Sequence, residues 1–150
     1  MKKLILASKS PYRKALLERL DIPFETISSG FDENPLKAEI KDPKELTRRL
    51  SEAKAEAVGI EEDSIVLGSD QVCVFGDEIL GKPGSIENAF TQLSKLSGNT
   101  HQLITSYALI SRKNRIIKTN ITTLRMRKLN DMQLKKYLTA DNPVDCAGAY

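Results

Sequence analysis

Residues 4–7 form an uninterrupted apolar run that ends on Ser8-Lys9-Ser10-Pro11, a hydroxyl-rich turn that reads as a helix start, with Ser10 as N-cap and Pro11 at the first helical position. A run this short is a strand buried on both faces rather than a helix. The helical pattern then continues to Leu20, with Leu16, Leu17 and Leu20 on one face. Asp21-Ile22-Pro23 stops it before a second short strand at 24–28. Strand, turn, helix and strand in this order open an α/β domain.

The alternation persists along the chain. Residues 30–42 are polar, contain Pro35 and read as a loop. A helix begins near Pro43. Leu46, Leu50, Ala53, Ala57 and Val58 give it an apolar stripe, while Arg48, Arg49, Glu52 and Glu56 face outward. Residues 64–68 are a further buried strand, extended again over 72–75, and Gly76-Asp77 turns the chain into the brief strand at Ile79-Leu80. Ser85 opens a helix whose Ala89, Phe90, Leu93 and Leu96 turn inward and which Gly98 ends at C′. Two long extended runs, 100–111 and 115–127, meet at Arg112-Lys113-Asn114 as a hairpin, and Asn130 or Asp131 caps a last helix to about Thr139. The fold class expected is α/β: a mixed, twisted sheet flanked by helices, in a single domain over residues 1–150.

Composition removes several alternatives. No apolar run approaches the roughly 20 residues of a membrane-spanning helix, and Leu4-Ile5-Leu6-Ala7 after Met1-Lys2-Lys3 is too short for a secretory leader. Cys73 and Cys146 are the only cysteines, so a cytoplasmic chain without a disulfide framework is expected. The net charge of +3 hides a split: residues 111–136 carry nine Lys and Arg against one acid, Asp131, a local +8, which leaves −5 for the rest. This segment alternates with apolar residues and lacks aromatic residues for base stacking, so it reads as a solvated strand face rather than a nucleic-acid surface.

Four features carry chemistry. The Ser8–Lys14 turn joins a strand to a helix N-terminus, where backbone N–H groups and the helix dipole favour a phosphate, although the spacing is not that of a P-loop. Asp32-Glu33 lies in a loop. Asp70, in Gly68-Ser69-Asp70-Gln71 after a buried strand, is the strongest single candidate, because an acid at the carboxyl end of an apolar strand is costly unless it meets solvent, a cation or a metal. Lys54 falls within a turn of its helix's apolar stripe, and Lys82 sits in a rigid turn. Together these residues describe a polyphosphate site, with cations for oxygens and carboxylates for Mg²⁺. The single histidine, His101, supports neither a triad nor a zinc site, and Cys73 has no partner for thiol chemistry.

In order, Leu-Ile-Leu-Ala-Ser-x-Ser-Pro-x-Arg (4–13), Asp32-Glu33, Glu52-Ala53-Lys54-Ala55, Gly68-Ser69-Asp70, Gly81-Lys82-Pro83, Leu96-Ser97-Gly98-x-Thr100-His101 and Ala147-Gly148-Ala149-Tyr150 resemble the Maf family along the whole chain. The resemblance implies a two-lobed architecture like that of inosine triphosphatases, with a nucleotide cleft between the lobes. It also implies hydrolysis of a nucleoside triphosphate between its α and β phosphates, with Mg²⁺ or Mn²⁺. Asp70 resembles the general base, and Glu33 joins it on the metal. Ser8, Arg13, Lys54 and Lys82 match phosphate-binding positions. Tyr12 and Gln71 resemble the branch that acts on 7-methyl-GTP rather than dTTP or UTP, with Tyr12 stacking on the methylated purine and Gln71 reading a base edge. A homodimer without membrane or nucleic-acid partners is implied as well. Family members run about 40 residues further, through further strands and a helix, so a nucleotide-binding remnant without turnover is the rival expectation.

Overall fold

The computed structural model describes residues 2–150. Its elements are β1 (Lys3–Leu6), α1 (Pro11–Glu18), β2 (Phe24–Thr26), α2 (Asn34–Glu39), α3 (Pro43–Ala57), β3 (Ser64–Phe75), β4 (Glu78–Leu80), α4 (Ile86–Leu96), β5 (Thr100–Ile110), β6 (Arg115–Arg125) and α5 (Asp131–Asp141). The sheet is six-stranded in the order β2-β1-β3-β5-β6, with β4 paired to β3 off this path. It is mixed: β1 runs parallel to β2 and β3, with Leu4 opposite Phe24 and Ile65, and β3 runs antiparallel to β4, with Cys73 opposite Leu80.

The chain divides into two compact units, residues 1–70 with 105–120, and residues 71–104 with 121–150. In the first, Ser10 caps α1 by accepting from the Arg13 amide at 3.4 Å, and Pro11 takes the first helical position as expected. Only Leu17 of α1 is buried, whereas Leu16 and Leu20 are exposed. The chain leaves β1 towards β2 on one side and returns through α2 and α3 to β3 on the other. The carboxyl ends of β1 and β3 are therefore a topological switch point, where open α/β sheets bind ligands.

The two-residue period of β3 places Ser64, Val66, Gly68, Asp70 and Val72 on one buried face. Three sequence expectations change here. Asp70 lies inside a continuous strand rather than in a turn after it. Residues 34–39 are helical, not loop. They bury nothing, so no apolar periodicity announces them. The third change concerns α3, whose buried face is Leu46, Thr47, Leu50, Ser51, Lys54 and Ala55, while Ala57 is exposed. The reason is a close approach of helix to strand. A Cβ on Gly68 would lie 2.0 Å from the Ser51 carbonyl oxygen and 2.8 Å from the Ala55 nitrogen, so only hydroxyls and small side chains fit along this line. Val66, Ala55, Ala108 and Ile110 complete the core around it. Gly68→Ala is expected to cost about 3 kcal/mol or more, since backbone must yield rather than a flexible side chain; a urea midpoint within error of the wild type would contradict this packing.

The second unit follows its sequence pattern closely. Ser85 caps α4 by accepting from the Asn88 amide, and Gly98 follows the helix at φ +76°. Asn130 and Gln133 form a reciprocal capping box at the start of α5. Ala89 and Leu93 pack with Leu134, Leu138 and Ala149, while Cys73, Leu80 and Leu96 form an adjoining cluster. Back in the first unit, the hairpin turn closes through the Ser111 amide donating to the Asn114 carbonyl at 2.9 Å. β6 is exposed along nearly its whole length, and its basic charge is partly answered by acids: Arg115 pairs with Glu52 at 2.8 Å and with Glu56, both on α3.

Candidate active site

At the carboxyl end of β1, the Ser8 hydroxyl accepts from the Ser10 amide at 3.1 Å and from the Arg13 guanidinium at 3.4 Å. The turn therefore presents two hydroxyls, a guanidinium and a helix N-terminus, the donor set that an anion requires.

Beside it, β3 and α3 bring a charge pair out of water. Lys54 is 7% exposed and Asp70 6%, and the Lys54 Nζ donates to Asp70 Oδ1 at 2.6 Å. On its other side the same ammonium meets Glu33 Oε1 at 2.7 Å, and Glu33 Oε2 meets Lys37 at 2.6 Å. The result is an alternating chain, Lys37–Glu33–Lys54–Asp70, exposed at Lys37 and buried at Asp70. Gly68 sets this geometry. Because it lets α3 touch β3, the side chain two residues further along the same strand face lies within reach of Lys54.

The two carboxylates have opposite characters. Burial pushes Asp70 above the ordinary carboxylate range, with the charge and hydrogen bond of Lys54 opposing and the charge of Arg13 helping to hold it down. For Glu33, burial alone would also raise the pKa, but hydrogen bonds from Lys37 and Lys54 and their charges bring it down to about 2. Glu33 is a fixed anion, whereas burial makes Asp70 the more readily protonated of the two carboxylates.

The depressed Glu33 has a consequence for stability. A folded-state pKa of about 2 against an ordinary 4.5 gives stabilisation that is complete above about pH 4.5 and lost as pH falls towards 2. Asp70 acts in the opposite sense, because its raised value lets the folded chain take up a proton more readily than the unfolded one. Glu33→Gln is therefore expected to remove about 1–2 kcal/mol of the acid-side loss, after discounting for partial exposure. Urea midpoints at pH 5 and pH 3 check it: the drop between them should be smaller in the variant than in the wild type.

Among the expected site residues, Ser8, Arg13, Glu33, Lys54 and Asp70 are brought together in the first unit. Tyr12 is 57% exposed on the first turn of α1. Gln71 and Lys82 belong to the second unit, Gln71 on β3 and Lys82 in the irregular segment between β4 and α4. Sequence reading missed Lys37. Its signal was present: Asn34-Pro35 is a helix start, Asp32 accepts from the Asn34 amide at 3.1 Å, and Glu33–Lys37 is an i,i+4 pair. His101 is packed in the second unit, its Nε2 2.5 Å from the Tyr150 hydroxyl, and burial pushes its pKa down. Cys73 is buried, and its thiol is pushed up to about 11. Neither offers the reactive group of a nucleophilic enzyme.

Asp70 and Glu33 supply hard oxygen donors. Two carboxylates suit a Mg²⁺-like ion, which keeps several waters and takes substrate phosphate oxygens in addition to one or two protein ligands. Among the described residues no group of three or more His, Cys, Asp or Glu gathers into a cage of the kind zinc occupies.

With its Ser8–Arg13 strand–turn–helix and its buried Lys54–Asp70 pair in one unit of a mixed α/β sheet, this chain is of a definite class: it belongs to the Maf-like protein family, whose model matches residues 3–150. Its relatives include the 7-methyl-GTP pyrophosphatase of Pseudoalteromonas atlantica, 41% identical over 99% of this chain and 76% of the relative. The proteins of the same name from Pseudomonas aeruginosa and Vibrio vulnificus are 42% and 40% identical, over 100% and 98% of this chain and 79% and 76% of their own lengths.

Proposed function

We propose that this chain is a nucleotide pyrophosphatase that hydrolyses the α–β phosphoanhydride of a nucleoside triphosphate, with 7-methyl-GTP as the preferred substrate. The observation that carries the reading is the buried Lys54–Asp70 pair with Glu33 behind it and the Ser8–Arg13 anion turn in the same unit. The shared name of relatives at about 40% identity supports the choice of substrate.

In this mechanism Asp70 takes a proton from a water whose oxygen adds to the α-phosphorus. The bond from that phosphorus to the α–β bridging oxygen breaks, and pyrophosphate leaves. Ser8 and Arg13, with the α1 N-terminus, hold phosphate oxygens and offset the charge that grows on the leaving group. Lys54 keeps Asp70 ionised and aimed. Divalent Mg²⁺ or Mn²⁺, held by Asp70 and Glu33, supplies electrostatic stabilisation of the phosphate oxygens when bound. Tyr12 stacks on the cationic methylated purine, while Gln71 and Lys82 keep their assignments to a base edge and to phosphate by resemblance. The homodimer rests on the same ground, and the cytoplasmic location on the two cysteines without a disulfide framework. The structure adds that no helix among the described residues is long and apolar enough to cross a membrane.

The test is pyrophosphate release from 7-methyl-GTP, dTTP and UTP with Mg²⁺ or Mn²⁺. Preference for 7-methyl-GTP is expected. No release from any of the three would overturn the enzymatic reading, and preference for dTTP or UTP would overturn the substrate.

A further inference from the structure

We infer that Ser106 of β5 is a positioning residue that ties together the two elements carrying the Lys54–Asp70 pair. Its side chain and its backbone each bind one of them. The Ser106 hydroxyl lies 2.8 Å from Thr47 Oγ1 on α3, and Thr47 stands about two helical turns before Lys54 on the same buried face. The Ser106 carbonyl accepts from Ser69 Oγ at 3.1 Å, and Ser69 is the neighbour of Asp70 on β3. One residue thus binds the helix through its hydroxyl and the strand through its backbone carbonyl, the Ser69 side chain lying on the face of β3 opposite Gly68 and Asp70.

The hydroxyls have a direction. Thr47 Oγ1 is within donating distance of the Pro43 and Lys44 carbonyls, at 3.0 and 3.1 Å, so its proton is committed to its own helix and its lone pair accepts from Ser106. Ser106, having donated, accepts from Thr119 Oγ1 on β6 at 2.8 Å. Thr119 to Ser106 to Thr47 to the helix carbonyls is a chain in which each hydroxyl donates once, running from the exposed Thr119 to the fully buried Ser106 and Thr47, where bonds in series reinforce one another. Thr47, Ser51 and Ser106 are fully buried, which is why an apolar-stripe reading of α3 misjudged its inner face. The polar seam gives α3 a defined height and rotation over β3, which uniform apolar packing does not supply. Lys54 needs that register, because its ammonium must meet Asp70 and Glu33 at once.

The inference deepens the proposed function, and its test has one readout that requires no turnover. Ser106→Ala and Thr47→Val remove the seam, and Thr47→Ser keeps its hydroxyl. In 15N-labelled protein without nucleotide or metal, the Lys54 ammonium, held between two carboxylates, is expected to give a slowly exchanging, resolved signal in the wild type and in Thr47→Ser. The signal should broaden beyond detection in Ser106→Ala and Thr47→Val. With 7-methyl-GTP, kcat is expected to fall about 10-fold in these two variants with KM changed less than about 2-fold, as misplacement of a catalytic group by a fraction of an ångström does. A folded Ser106→Ala or Thr47→Val protein, judged by circular dichroism, that retains the wild-type Lys54 signal would overturn the inference. Should Ser106→Ala not fold, the Thr47 pair decides alone. A wild-type chain that releases no pyrophosphate overturns the functional proposal instead, while the ammonium signal still decides the positioning role.

Discussion

Asp70→Asn is expected to lower pyrophosphate release by about 100- to 10,000-fold, the range in which a positioned general base contributes, while leaving the fold intact. Asn preserves the shape of the side chain and one acceptor for the Lys54 ammonium. It also removes a carboxylate whose burial is costly, as its raised pKa shows. Lys54 keeps Glu33 as its anionic partner at 2.7 Å, so no uncompensated cation is created. Melting followed by circular dichroism should therefore move by only a few degrees, in either direction. Near-normal kcat in a folded Asp70→Asn protein would remove Asp70 from the role of base. A protein that fails to fold would show instead that its charge is indispensable to the packing of α3.

Lys54→Met has the reverse profile, with stability as its first casualty. Met keeps the length of the apolar stem but withdraws the one cation between Glu33 and Asp70, leaving a buried carboxylate without its partner. Removing one member of a buried ion pair costs about 3–5 kcal/mol, which for a chain of this size is a fall in Tm of roughly 10 °C or more. The double variant Lys54→Met, Asp70→Asn should regain a substantial part of this loss, because the stranded charge is then gone. If the single variant melted like the wild type, the pair would not be the desolvated contact that its 2.6 Å separation and shared burial indicate. Equal instability of the single and double variants would locate the cost in lost packing rather than charge.

Where each expectation met the structure, the dividing line was physical. The caps of α1, α4 and α5 were legible because capping is local: Ser10, Ser85 and Asn130 each accept from an amide three residues on. The exposure of β6 was legible from its basic charge, its alternation with apolar residues and its lack of aromatic residues. The rotation of α3 was not, because its inner face is polar and is dictated by Gly68 on a strand that follows it in sequence and by Ser106 much later. α2 escaped for a related reason: it buries nothing, and the contact it makes with the site is the Lys37–Glu33 pair. The strand continuing through Asp70 was missed because Gly68-Ser69 reads as a turn, whereas here the glycine serves close contact with a helix.

By itself the sequence determined an α/β chain, the strand–turn–helix at Ser8–Arg13, the choice of Asp70 and Lys54 as candidates, and membership in a family through motifs spread along its length. These rest on local chemistry and on the order of residues, which a linear reading preserves. Only the tertiary structure decided that Lys54 lies between Glu33 and Asp70, that the two carboxylates differ in proton affinity, and that a buried hydroxyl seam sets the height of the helix. Each of those depends on separations of a few tenths of an ångström between residues 16 to 59 positions apart. Such distances are fixed by close packing across elements, which no local pattern encodes.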